Sequence, residues 1–330
     1  MGQSIVGRQP VQTPAAKVSR SVARPAAAQT APKGNAPAIA RDMFSANPAA
    51  VNVVCFNAAG GASGFKLEGE LAKTPLLQKL INGSPDAPIV AVQETTPALA
   101  KKLLEEAEKG HFEVIWPGKA WLPKWVPISP LAQGNMLLVP KRYEIEKQEA
   151  KTFTGRAGQF FKAIKGIVLG DGKANDLVLA LQNRGYVSAA LKDTRTGKRF
   201  NVLATHISYQ DEIRRRSTRE LVEAIAKAKG PTVLMGDMNV PTPEPGVKLG
   251  KGAADFWKAL EPAGMTDMGP LGEAGASYWK NGANIDVVMA RGFKSESSRM
   301  LKGDQMTLPG RPDARQISDH YAEADSLVFE

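Results

Sequence analysis

The sequence contains a single cysteine, Cys55, in 330 residues. One thiol excludes an intramolecular disulfide and any cysteine-rich zinc centre. Histidine is almost as scarce, with His111, His206 and His320 only, which disfavours a multi-histidine metal cluster. No apolar run reaches the ~18 residues that a membrane-spanning helix needs. The N-terminal region also lacks the continuous apolar stretch of a Sec-type signal peptide. Positive charge, in contrast, is in surplus: 43 basic residues stand against 33 acidic ones, a formal net charge of +10. Such a balance favours polyanionic partners, nucleic acid first among them. With 43% hydrophobic and 23% charged residues, the chain has the composition of a soluble protein with a substantial core.

Residues 1–47 differ from the rest. They are rich in Ala, Pro, Gln, Ser and Thr, and carry Arg8, Lys17, Arg20, Arg24, Lys33 and Arg41 against Asp42 alone. This composition reads as a disordered basic tail. A linker, a targeting or secretion segment and a nucleic-acid arm all share it. Residues 48–330 form the folded body. The absence of disulfides is compatible with a cytoplasmic protein and equally with one exported without a Sec signal.

From residue 51 the body alternates strands and helices. Val51–Phe56, Pro88–Val92, Phe112–Trp116, Asn135–Val139, Thr232–Met235, Ile285–Met289 and Tyr321–Phe329 read as strands. Tyr186–Leu191 and Phe200–Thr205 read as a hairpin around Asp193–Gly197. Leu71–Ile81, Ala98–Lys109 and Asp211–Ala228 have helical spacing, the last with Ile213, Leu221 and Ile225 on one side. Many strands with interspersed helices predict an α+β sandwich of two sheets flanked by helices.

Several strands end in polar residues that a strand end does not itself require. Asn57 follows Val-Cys-Phe, Gln93-Glu94 follows Ile-Val-Ala-Val, and His206 follows Val-Leu-Ala-Thr. Gly236-Asp237-Met-Asn239 follows Val-Leu-Met, Asp286 sits within Asn-Ile-Asp-Val-Val, and Ser318-Asp319-His320 precedes the last strand. Taken singly, such residues are turn or cap residues more often than ligands. Together they supply hard oxygen donors that suit Mg²⁺ or Mn²⁺ better than zinc.

In this order and with this spacing, the motifs resemble those of the endonuclease/exonuclease/phosphatase superfamily, the fold of pancreatic deoxyribonuclease. The resemblance covers residue 51 to the C-terminus and leaves the tail aside. It implies a four-layered α/β-sandwich, with two mainly antiparallel β-sheets packed face to face and helices outside. It also implies metal-dependent hydrolysis of a phosphoester. Glu94 and Asp319, with Asn57 nearby, would hold Mg²⁺ or Mn²⁺. His320, oriented by Asp286, would serve as general base on water. Asp237 and Asn239 would position the nucleophile or contribute to a second metal position, and His206 would donate a hydrogen bond or a proton near the scissile phosphate. In secreted deoxyribonucleases the matching histidine has a carboxylate partner of its own, which this sequence does not disclose. Arg184, before a strand, lies where many members place a phosphate-binding arginine. Asn135, in Gly-Asn-Met-Leu, resembles a Gly-Asn of the phosphatase and phosphodiesterase branches.

The motifs leave the substrate open, because specificity lies in loops. Two loops carry aromatics among cations: Trp116–Trp125, and Thr152–Asn175 with Arg156, Phe160, Phe161, Lys162 and Lys165. Such loops can stack bases, meet an anionic lipid headgroup, or cover the core. Basicity and the absence of an anchor favour a nuclease acting on DNA. A phosphoinositide phosphatase or sphingomyelinase-like enzyme is the alternative, and a non-catalytic binding protein keeping the fold is a third.

Overall fold

The computed structural model describes residues 44–58, 84, 86–108, 110–116, 133–154, 165–166, 169, 184–243, 248–269, 277, 284–301, 320 and 322–330. The chain divides after Ala36, and every residue described belongs to the second unit. The helix expected at Leu71–Ile81, Asp319, and all but the ends and scattered positions of the two aromatic loops lie outside the described residues.

Twelve strands form two six-stranded sheets. In chain order they are β1 (Val51–Asn57), β2 (Ile89–Thr95), β3 (Phe112–Ile115), β4 (Gly134–Pro140), β5 (Tyr143–Thr152), β6 (Gly185–Asp193), β7 (Arg199–His206), β8 (Thr232–Asp237), β9 (Thr266–Asp267), β10 (Asp286–Arg291), β11 (Phe293–Leu301) and β12 (Ala322–Phe329). The first sheet has the order β11-β12-β1-β2-β4-β3, the second β5-β6-β7-β8-β10-β9. Pairing is antiparallel except between β1 and β2 and between β7 and β8. Among the described residues there are three α-helices: α1 (Pro97–Ala107), α2 (Asp211–Lys227) and α3 (Lys251–Leu260).

Alternation along the strands explains the layers. Val51, Val53, Cys55, Ile89, Ala91 and Leu137 of the first sheet pack against Val187, Ala189, Val202, Ala204, Val233, Met235 and Val288 of the second. The opposite face of the first sheet, with Val54, Phe56, Val90 and Leu138, is covered by Leu99, Ala100 and Leu103 of α1. The opposite face of the second, with Leu203, Leu234 and Val287, is covered by Leu221 and Ile225 of α2 and by Phe256 and Leu260 of α3. Most strands are therefore buried on both faces, which is why they read as continuous apolar runs. This is the expected helix–sheet–sheet–helix sandwich.

The body starts earlier than residue 48. Phe44 is buried in the layer that holds Val54, Phe56 and Leu103, and the Ser45 amide donates to Ser326 Oγ of β12 at 2.9 Å. Small polar neighbours hide this one aromatic anchor in a segment that otherwise reads as tail. Truncation after residue 36 is expected to leave stability unchanged. Phe44→Ala is expected to cost about 3 kcal/mol, and equilibrium urea unfolding of the two proteins checks the difference.

Candidate active site

The functional residues meet because of strand register. Gly185 of β6 pairs with His206 of β7, His206 with Asp237 of β8, and Asp237 with Asp286 of β10. Three of the residues singled out by sequence thus stand in one row across adjacent strands. Gly236 makes the approach possible: a Cβ there would collide with the Thr205 carbonyl oxygen on β7. Asn57 ends β1 beside Gln93 of β2, and His320 lies just before β12, which flanks β1 on its other side.

Two side-chain bonds join the sheets at this end. Asn57 Nδ2 donates to Asp237 Oδ2 at 2.8 Å. His320 Nδ1 lies 2.6 Å from Asp286 Oδ2, a short contact of the kind an N–H donor makes with a carboxylate. The backbone holds Asp286 in turn: Ser277 Oγ accepts from the amides of Ile285 (2.8 Å) and Asp286 (2.9 Å). Ser277 was not singled out by sequence, because a lone serine upstream of a strand carries no motif. With Nδ1 engaged, His320 presents Nε2 to the centre, 4.0 Å from Asp237 Oδ2.

His206 is fixed by two residues of the Gly-Asp-x-Asn run. Its Nε2 lies 3.2 Å from Asp237 Oδ2 and 3.0 Å from Asn239 Nδ2. Asn239 Nδ2 also donates to the Ile207 carbonyl at 2.9 Å, and the Asn239 amide donates to Asp237 Oδ1 at 2.8 Å. Among the described residues, Asp237 is the carboxylate paired with His206. The partner that the sequence did not disclose is thus already a member of the centre.

Glu94 reaches the site through an irregularity. Val92 pairs with Met136 and Thr95 with Gly134, so Gln93 and Glu94 of β2 lie opposite Asn135 alone. Such a bulge re-aims a side chain at a sheet's end. Glu94 has φ 53° and Asn239 φ 50°, the only non-glycine residues with positive φ among those described. Asparagine tolerates that region, whereas glutamate adopts it at a cost of order 1–3 kcal/mol. Strain of this kind collects where placement matters more than stability. The chain is then captured at once, since Thr96 caps α1 by accepting from the Leu99 amide at 3.2 Å.

Arg184 lies just before β6, its Nη1 3.4 Å from the Ile207 carbonyl. Burial lowers its pKa from the usual arginine value, opposed by the negative charges of Glu94 and Asp237. Asn135 Nδ2 donates to the Gly185 carbonyl at 2.7 Å, which also accepts from Thr205 Oγ1 at 2.9 Å. The amide thereby holds the residue next to Arg184. His111 is exposed and distant in sequence from every motif.

Burial dominates the electrostatics. It pushes the Asp237 carboxyl up to about 7, aided by the neighbouring Asp286 charge. Burial, then Arg184 and His320, hold His206 well below the usual imidazole value. Glu323 and Asp325 of β12 are also pushed well up, chiefly by burial. A carboxyl with a raised folded-state pKa stabilises the fold at low pH, and loses that contribution as pH rises through the folded value. His206 acts oppositely, losing its contribution as pH falls through the unfolded imidazole value near 6.5. Three carboxyls outweigh one imidazole. In chelator, Tm is therefore expected to be higher at about pH 5.5 than at about pH 8, read by calorimetry, and the reverse order would show these carboxyls ionised throughout.

Asp237, Asp286 and His320 each offer a ligand atom within 4.8 Å of one another. Together with the strained Glu94 and the amide oxygen of Asn57, they make an oxygen-rich donor set that fits a hard divalent cation. One oxygen of Asp286 is buried without a hydrogen-bond partner, as an acceptor beside a cation or water would be.

The family model described as "Endonuclease/Exonuclease/phosphatase family" matches residues 54–320. The chain belongs to this family. No curated protein matches the sequence at a significant level. Among solved structures, D. rerio TDP2 complexed with a single-stranded DNA product is similar, with 15% identity and a TM-score of 0.58 over 84% of this chain and 98% of that one. The human nocturnin catalytic domain with bound sulfate has 15% identity and a TM-score of 0.57, over 85% and 94%. A Bacteroides thetaiotaomicron mannosyl-6-phosphatase has 15% identity and a TM-score of 0.54, over 84% and 100%. At these identities the likeness is one of fold. Members of the family are phosphoesterases, and this chain has their fold.

Proposed function

We propose that this protein is a metal-dependent phosphodiesterase that hydrolyses nucleic acid, with DNA as the preferred substrate. The observation that carries the reading is the His320–Asp286 pair, 2.6 Å apart across the two sheets. It faces Asp237 in a centre that also holds His206, Asn239 and Asn57. A buried carboxylate against Nδ1 sets the imidazole tautomer and supports the imidazolium that forms on proton uptake.

Glu94, Asp319 and Asn57 would hold Mg²⁺ or Mn²⁺, which when bound neutralises charge on the phosphate. Arg184 binds a non-bridging phosphate oxygen. His320 Nε2 removes a proton from a water molecule whose oxygen then bonds to phosphorus, in line with the departing ester oxygen. The phosphorus–oxygen ester bond breaks on the far side. The leaving oxygen takes a proton from the His206–Asp237 pair, which burial keeps in the neutral imidazole and raised carboxyl forms. Asn239 positions both members of that pair.

The net charge of +10 favours a polyanion, and the similarity to a fold seen with a DNA product points the same way. The lipid phosphoesterase alternative gains no support from the compared structures. Among the described residues no helix is long and apolar enough to cross a membrane. A Mg²⁺-supplemented assay with single- and double-stranded DNA, RNA, a hexose 6-phosphate and phosphoinositide vesicles tests the reading. DNA is expected to be cleaved at least ~10-fold faster than the others. Preferential release of phosphate from the hexose phosphate would replace the diesterase reading with a monoesterase one.

A further inference from the structure

The interior between the sheets contains negative charge that the catalytic centre does not use. On β12, Ala322 and Ala324 face the outer layer with Val54 and Phe56, while Leu327 faces the intersheet layer. Alternation therefore turns Glu323 and Asp325 inward, between the sheets. Glu323 pairs with Cys55 and Asp325 with Val53 on β1, both inward-facing residues. Exposure of the two carboxylates is 1% and 0%. Glu323 Oε1 has no hydrogen-bond partner, and the oxygens of Asp325 have no well-formed one, only the Ser298 hydroxyl opposite on β11 leaning toward them.

A buried ionised carboxylate without a counter-charge is among the most costly arrangements in a protein interior. Protons alone would remove the charge but leave a different problem. A protonated carboxyl carries an O–H that needs an acceptor, and the two groups that reach these carboxyls, the Ser298 hydroxyl toward Asp325 and the Val288 amide toward Glu323, are donors that favour the charged form. A cation satisfies several oxygens at once. Asp267, exposed on β9, and Gly269 beside it border Glu323. A Cβ on Gly269 would sit 3.1 Å from Asp267 Oδ1 and 3.2 Å from Glu323 Oε1. The missing side chain thus lets a surface carboxylate and a buried one share one neighbour.

We propose that Glu323 and Asp325, with the Ser298 hydroxyl, form a second divalent-cation site between the sheets, bordered by Gly269 and Asp267. Hard oxygen donors select Mg²⁺ or Ca²⁺, with water completing the shell. Glu323 feels the charge of Asp286, so a cation here offsets negative charge near the catalytic pair. This inference does not depend on the proposed reaction, and its failure leaves that reading intact.

The test measures thermal unfolding with MgCl₂ or CaCl₂ alone, in a Glu94→Gln/Asp237→Asn/Asp319→Asn background that breaks up the catalytic-centre donor set. Cation at one hundred times its dissociation constant is expected to raise Tm by about 5 °C. Adding Glu323→Gln/Asp325→Asn is expected to reduce that rise to less than about 1 °C. It should also leave Tm in chelator at least as high as in the background, since two unpaired buried charges are gone. A background protein indifferent to both cations, or a rise that survives the added substitutions, would overturn the site. Should the combined variant fail to fold, Gly269→Ala in the same background serves instead. Its methyl crowds Glu323 Oε1, so Tm in chelator should stay within about 2 °C while the cation response falls at least threefold. An undiminished response would overturn the proposal equally.

Discussion

His320→Ala is expected to lower kcat by about a thousandfold or more, with the far-ultraviolet spectrum and cooperative unfolding retained. General-base catalysis alone is typically worth about 10²–10⁴ in rate. His320 precedes β12 and bonds by its ring to Asp286, so its loss removes the base without dismantling a strand. Asp286→Asn is expected to cost nearly as much. Its amide removes the negative charge that favours the imidazolium and, with Nδ2 turned inward, enforces the wrong tautomer. The double variant should be little worse than either single one, because the two residues work as a unit. Losses that multiply in full would separate His320 from Asp286 and refute the pairing. The same series has a pH signature: turnover in the parent should rise with pH on the acidic side, and His320→Ala should flatten that limb.

Removal of divalent cations is expected to abolish hydrolysis, with Mg²⁺ or Mn²⁺ restoring it. Glu94→Gln is expected to raise the metal concentration needed for half-maximal rate at least ~10-fold while leaving DNA affinity in chelator unchanged. The physical ground is the bulge of β2, where Glu94 holds φ 53° against the preference of a glutamate. Because glutamine faces the same backbone constraint, the variant isolates the carboxylate charge. Full activity after verified metal removal would sink the metal assignment and leave the strain at Glu94 without a role.

The candidate centre could be read as a set because its residues end apolar strands, and an ending can be read from a linear pattern. What the pattern could not supply was the row His206–Asp237–Asp286, which exists only once β7, β8 and β10 adopt their register. Nor could it supply Asp237 as the partner of His206. Asn135 was read from a motif match alone, and its bond to the Gly185 carbonyl could not be seen in the sequence. Two long strands were missed, β5 and β11, and both are sheet edges. Their Glu-, Lys- and Ser-rich sequences keep exposed strand edges soluble and so lack the apolar alternation by which strands are recognised. The run Ala322-Glu-Ala-Asp-Ser alternates small and polar residues, yet both faces of its strand are buried, and the charged face is turned into the sandwich. Phe44 likewise belongs to the core although its neighbours read as tail.

The central claim is that water, activated by His320, attacks phosphorus in a centre assembled from both sheets. The most direct measurement is single-turnover hydrolysis of a defined oligonucleotide with Mg²⁺ in ¹⁸O-labelled water, with mass analysis of both new ends. One ¹⁸O atom per cleavage is expected in the phosphate terminus and none in the sugar hydroxyl, at a rate that His320→Ala reduces at least a thousandfold. Label in the sugar hydroxyl, or cleavage without label in the phosphate, would contradict the account.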